Sequence, residues 1–203
     1  MAITDRLFPL INDVALRKVE PHRRELLSRA SGTVLELGVG SGLNAGLYGG
    51  EVERIIGVEP DDAMWQRGRE RAREAEIPVE RIDAFGESLP LEDDSVDTAV
   101  STFVLCSVEE PAQVLRELHR VVRPGGRLLV LEHVENPSRF VSACQKAVTP
   151  VWRACLGGCH PGRDLVDALD QSPWRALEMD FVELPGLPTI VDYHLSGVYV
   201  TDD

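Results

Sequence analysis

Short apolar runs alternate with amphipathic stretches through the first two thirds of the chain. The runs at Thr33–Leu37, Arg54–Val58, Val79–Asp83, Val96–Phe103 and Arg127–His133 have the length and β-branched content of strands. Between them, Leu43–Tyr48, Asp61–Ala75 and Pro111–Val122 repeat apolar positions at helical spacing. Pro60-Asp-Asp62 and Glu109-Glu-Pro111 carry the acids and proline that open helices, and Pro124-Gly-Gly126 closes the last one. Strands alternating with helices predict a parallel sheet covered on both faces.

The two ends of the chain leave this rhythm. Residues 5–30 predict one or two helices interrupted at Pro21. After the fifth strand come a helix at Ser138–Ala154, a loop at Cys155–Gly162 and a short helix at Arg163–Gln171. Arg175–Leu184 and Thr189–Val200 then read as strands joined through Pro185-Gly-Leu-Pro188, an antiparallel hairpin at a sheet edge. With 203 residues and no internal repeat, the expectation is one domain. Residues 1–30 form a helical cap in this reading, 31–134 a ligand-binding core, and 135–203 acceptor-side helices and the hairpin.

Composition narrows the partners. A formal charge of −13, with two lysines (Lys18 and Lys146) beside nineteen arginines, disfavours a broad nucleic-acid footprint. No apolar run reaches the roughly 18 residues of a membrane span, and the N-terminus lacks a signal-peptide pattern. Four scattered cysteines at 106, 144, 155 and 159 suit reduced thiols in a cytoplasmic protein.

The chemistry concentrates at Glu36-Leu-Gly-Val-Gly-Ser-Gly42. Gly38, Gly40 and Gly42 permit a tight turn with exposed backbone N–H groups at a strand's carboxyl end. Leu43 stands where a dinucleotide fingerprint has its third glycine, and Glu36 would repel a pyrophosphate. The turn instead suits a nucleoside with a cationic tail. Glu59, ending the second strand, is placed to accept two ribose hydroxyls, and Met64 can lie against a base. Cys106 follows the fourth strand, as either an inert thiol or a reactive one. His133 ends the fifth, as either a general base or a residue ordering the loop beside Glu132. His160 ranks second as a base, and Cys155, Cys159 and His160 form only a weak metal signal. No metal is expected.

Four ordered motifs spanning about residues 32–133 resemble those of class I S-adenosylmethionine-dependent methyltransferases. They are Glu36–Gly42, Glu59-Pro-Asp-Asp-Ala-Met64, Leu89–Asp97 and Leu118-His-Arg-Val-Val-Arg-Pro-Gly-Gly126. The resemblance implies a Rossmann-like α/β fold whose seven-stranded sheet has the order 3-2-1-4-5-7-6, strand seven antiparallel. It implies S-adenosyl-L-methionine as cofactor and S-adenosyl-L-homocysteine as product. Glu36 would hold the cofactor's amino group, Gly38, Gly40, Gly42 and Asn44 would pass close to it, and Glu59 would bind the ribose. Pro60, Met64, Gly86, Glu87, Thr102 and Phe103 complete that set. Phe85 stands where many relatives carry an aspartate, leaving Glu87, Asp83 or backbone near Gly86 to meet the adenine.

Val104-Leu-Cys-Ser-Val108, Leu131-Glu-His-Val134, the Trp152 helix and Gly157-Gly-Cys-His160 further resemble the methyltransferase-like 7 group. That group includes the alkyl-thiol S-methyltransferases of animals, which carry an N-terminal membrane anchor not expected here. The acceptor this implies is a small lipophilic molecule such as a thiol. A phenol or quinone, an amine, a lipid head group, arsenite, and a non-catalytic role in binding the cofactor are the alternatives.

Overall fold

A computed structural model describes residues 13–14, 16–184 and 186–201. Its elements, in chain order, begin with α1 (Glu20–Leu27), β1 (Gly32–Leu37), β2 (Val52–Val58) and α2 (Asp62–Glu74). Next come β3 (Val79–Ile82), β4 (Val96–Thr102), α3 (Pro111–Val121) and β5 (Val122–His133). The last four are α4 (Arg139–Cys155), α5 (Leu165–Asp170), β6 (Arg175–Glu183) and β7 (Tyr193–Val200). The seven strands form one sheet in the order β3-β2-β1-β4-β5-β7-β6, parallel except where β7 runs against both β5 and β6. The fold is the one that the motif resemblance implies.

Strand alternation builds two cores. Leu35, Leu37, Ile56, Ala99, Leu128 and Val130 face one side, where α3, α5 and Trp174 cover them. Val34, Ile55, Val100, Leu129 and Leu131 face the other, beneath Leu26 and Leu27 of α1. Glu36 shares parity with Val34, so it points to the side that α1 covers. The helix starts are as the sequence suggests: Asp61 caps α2 through Ala63 and Met64 N–H groups, and Pro111 opens α3. Pro21 begins α1 rather than ending it, and the helical residues before α1 are 13, 14 and 16–18. The first twelve residues of the expected cap lie outside the described part.

Two local expectations fail. Residues 43–47 form successive turns, and no helix forms over 43–48. Glycines at 42, 46, 49 and 50 remove helix propensity, and the Asn44 side chain is drawn inward to Glu36. Pro124-Gly-Gly126 does not precede β5 but lies inside it as a bulge, where pairing with β4 jumps from Val122 to Arg127.

Helix α2 approaches the glycine turn through a gap that glycine alone leaves. A Cβ on Gly68 would stand 2.7 Å from the Ser41 carbonyl carbon and 2.8 Å from the Gly40 oxygen. Gly68→Ala therefore lowers stability by about 1–2 kcal/mol, although alanine is the better helix former by up to about 1 kcal/mol. Gly46, with no atom near its missing Cβ, is the control, and Gly46→Ala leaves the denaturation midpoint nearly unchanged. Equal midpoints for the two variants would contradict this account.

Candidate active site

At the carboxyl ends of β1, β2 and β4 lies a cavity of about 470 Å³. Its floor is the turn after β1, where Gly38, Gly40 and Gly42 all have positive φ (62°, 53° and 72°). Val39 N–H donates to the Val58 carbonyl at 3.1 Å, tying the turn to β2.

A carboxylate stands at each end of this cavity. Glu59 is buried, and its two oxygens accept the backbone N–H groups of Gly40 and Asp61, each at 2.9 Å. Burial raises its pKa, and these two bonds oppose the rise. Glu36 is 2% exposed and accepts from Tyr48 Oη at 2.8 Å and Asn44 Nδ2 at 2.9 Å. Burial pushes its carboxyl up to about 7, against the pull of those bonds and of the Arg23 cation. Asn44 links the group, reaching Thr102 Oγ1 at 3.0 Å and accepting from Arg23 Nη1. Arg23, 1% exposed on α1, also donates to the Leu16 carbonyl at 3.1 Å.

Every residue expected to meet the cofactor lines the cavity except Gly42, which shapes the turn from beneath and packs against Gly68. Phe85, Gly86 and Glu87 line it as well, whereas Asp83 does not. Arg23 and Tyr48 were not singled out by the sequence, because a cationic helix face and a tyrosine among glycines carry no signal of burial.

The three acceptor-side candidates are placed differently. None of Cys106, His133 and His160 lines the cavity; they sit behind its edge, which Ser107, Val108, Gly157 and Gly158 form. His133 is buried with Nε2 2.9 Å from Cys159 Sγ, and Trp152 Nε1 donates to the same sulfur at 3.2 Å. His160 Nδ1 lies 2.9 Å from Arg163 Nη2 and 3.2 Å from the Cys106 carbonyl. Cys155, part of the weak C-x₃-C-H signal, faces solvent.

Glu132 organises this region. Fully buried, it accepts from Ser101 Oγ and the N–H groups of Val104, Leu105 and Cys106, at 2.7, 2.7, 2.9 and 3.3 Å. The turn after β4 is thereby wrapped round one carboxylate. Arg163 holds the same turn from outside, donating to the Leu105 and Val108 carbonyls at 2.7 and 2.6 Å. An acid inside an apolar strand is the signal that marked Glu36, and Glu132 shows it equally.

Residues 35–130 match the Methyltransf_11 family, a methyltransferase domain. Thiol S-methyltransferase TMT1B of Rattus norvegicus is 31% identical over 193 residues, 89% of this chain and 79% of that protein. The chain belongs to the class I S-adenosylmethionine-dependent methyltransferases. Phosphatidylethanolamine N-methyltransferase of Cereibacter sphaeroides is also 31% identical, over 149 residues, 72% of this chain and 71% of that one. Among solved structures, an S-adenosylmethionine-dependent methyltransferase from Mesorhizobium loti superposes with a TM-score of 0.65 at 20% identity. That match covers 90% of this methyltransferase and 97% of the other chain.

S-adenosylmethionine fits the cavity's chemistry. A nucleoside with a cationic amino acid at one end needs an anion at that end and a bidentate acceptor near the ribose, and the cavity has carboxylates at both. The helices of the described residues include none long and apolar enough to cross a membrane.

Proposed function

We propose that this methyltransferase transfers the methyl group of S-adenosylmethionine to the sulfur of a small lipophilic thiol. Glu36 receives the cofactor's ammonium and Glu59 its ribose hydroxyls, with Pro60 and Met64 along the adenine and Gly86 and Glu87 at its polar edge. Thr102 and Phe103 border the reacting end. Among the described residues, those up to 30 cap the site, 31–134 bind the cofactor, and those from 135 onward shape the acceptor's side.

The cofactor supplies a methyl group on a positively charged sulfur, and that charge disappears during in-line transfer. The protein's part is orientation and exclusion of water. Buried carboxylates at both ends fix the cofactor along the cavity, so its methyl has one direction in which to leave.

The observation that carries the thiol reading is the make-up of the cavity edge. Val104, Val108 and the Gly157-Gly158 backbone offer an apolar wall beside Ser107 and Glu109. The titratable side chains among the described lining residues are Arg23 and the carboxylates of Glu36, Glu59, Asp61, Glu87 and Glu109, with no histidine. A hydroxyl or phenol acceptor needs its proton taken by a positioned base. A thiol is far more acidic than the corresponding alcohol, and the small thiolate fraction present at neutral pH is strongly nucleophilic without one. The 31% identity to a thiol S-methyltransferase supports the same acceptor.

The test is a competition among alkane and aryl thiols, phenols, amines and phosphatidylethanolamine vesicles, with products identified by mass spectrometry. Expected are methyl thioethers and an equal amount of S-adenosylhomocysteine. Methylation of an amine, phenol or lipid with no thioether would overturn the assignment.

A further inference from the structure

Cys106, His133 and Cys159 come from three separate places: the turn after β4, the last residue of β5 and the loop after α4. Their ligating atoms all lie within 4.8 Å of one another. Each is placed by backbone rather than by chance side-chain packing. Cys106 N–H is held by Glu132 and its carbonyl accepts from His160 N–H at 2.9 Å. His133 is paired opposite His194 of β7, and Cys159 N–H donates to the Leu156 carbonyl at 3.2 Å. Thiols are weak donors and acceptors, so these three groups satisfy one another poorly. Two sulfurs and one imidazole nitrogen, with no carboxylate oxygen among them, are the donor set of a borderline-soft cation.

We infer that Cys106, His133 and Cys159 bind one divalent cation of the zinc class. Donor atoms around a tetrahedral zinc stand about 3.5–3.8 Å apart, from bonds of about 2.3 Å to sulfur and 2.0–2.1 Å to nitrogen. The observed separations, 2.9 Å between His133 Nε2 and Cys159 Sγ and at most 4.8 Å within the cluster, bracket that spacing. Two thiolates neutralise the ion, so the centre adds no net charge to a region that already buries Glu132. Two outer-shell contacts are in place, Trp152 Nε1 donating to Cys159 Sγ and Glu132 orienting Cys106 through its N–H, while His133 Nδ1 is buried with no partner among the described residues. Three protein ligands leave the fourth position to water or another small ligand. The ion ties the loop after α4 to the carboxyl edge of β4 and β5. That loop carries Gly157 and Gly158, so the metal holds the far wall of the cavity in place. This inference is independent of which acceptor is methylated.

Reduced full-length protein is stripped with a chelator, equilibrated with zinc alone, desalted and analysed by elemental mass spectrometry. One zinc per chain is expected. Cobalt in its place is expected to give the strong visible bands of a tetrahedral site and a near-ultraviolet thiolate-to-cobalt band. Cys159→Ser loses the retained zinc and the thiolate band, while Cys155→Ser keeps both. Calorimetry with S-adenosylmethionine confirms that each variant is folded. The inference falls if the wild-type chain retains no zinc, if Cys159→Ser retains as much, or if Cys106 and Cys159 form a disulfide in preference to binding it.

Discussion

Glu59→Ala weakens S-adenosylmethionine binding about 10- to 100-fold, a loss of about 1.4–2.8 kcal/mol. A hydrogen bond to a charged group is worth about 1.5–3 kcal/mol net, and in the variant water reaches the ribose hydroxyls and takes over part of what the carboxylate supplied. A second effect adds to the first. Glu59 already accepts the N–H groups of Gly40 and Asp61, so its removal leaves both donors without their acceptor. The glycine turn and the start of α2 then lose their shared anchor, and the melting temperature falls together with the affinity. Glu59→Gln, which keeps oxygen at one position, lies between. Asp62→Ala, which removes an exposed partner of Arg81 one turn away, is the control and leaves calorimetric affinity unchanged. Wild-type affinity in Glu59→Ala would remove the carboxylate from the ribose site.

Cofactor affinity also falls about 25-fold between pH 7.5 and 5.5, following ionisation of a carboxyl with a pKa of about 7. The cause is burial of Glu36, which its bonds from Tyr48 and Asn44 and the Arg23 cation only partly offset. An ammonium ligand requires the ionised form. Binding is therefore half-supported at pH 7, approaches full support about one unit above it and loses up to tenfold per unit below it. Glu36→Gln binds weakly and shows no such slope, which separates Glu36 from Glu59. Arg23→Met removes the stabilising cation and moves the midpoint upward. The ligand-free fold responds in the opposite sense. A carboxyl raised from 4.5 to about 7 contributes stability that is full below 4.5 and lost as pH rises through 7. A flat affinity profile over this range in the wild type would contradict the assignment.

The inner strands β1, β2 and β4 were legible because they are short, largely buried apolar runs, a pattern that helices of this length do not share. The lining of the cavity was legible because glycine spacing and the isolated acids Glu36 and Glu59 are local features. What escaped the sequence is set by distant packing. Gly68 reads as an ordinary weak point in a helix until the Gly40–Gly42 backbone is seen against it. Residues 43–48 kept helical spacing although their glycines and Asn44 favoured turns. The Cys106–His133–Cys159 group spans three segments, whereas the compact spacing at Cys155, Cys159 and His160 pointed to a side chain in solvent.

Arg23 reaches the cavity only from α1, and its cation is one of the influences on Glu36. The position of that helix and the charge on the carboxylate are thus a single coupled equilibrium. Whatever free energy a docked α1 contributes to ionising Glu36, ionised Glu36 returns to the docking of α1. Occupation of the cavity's Glu36 end by a cation and settling of the helix above it reinforce each other.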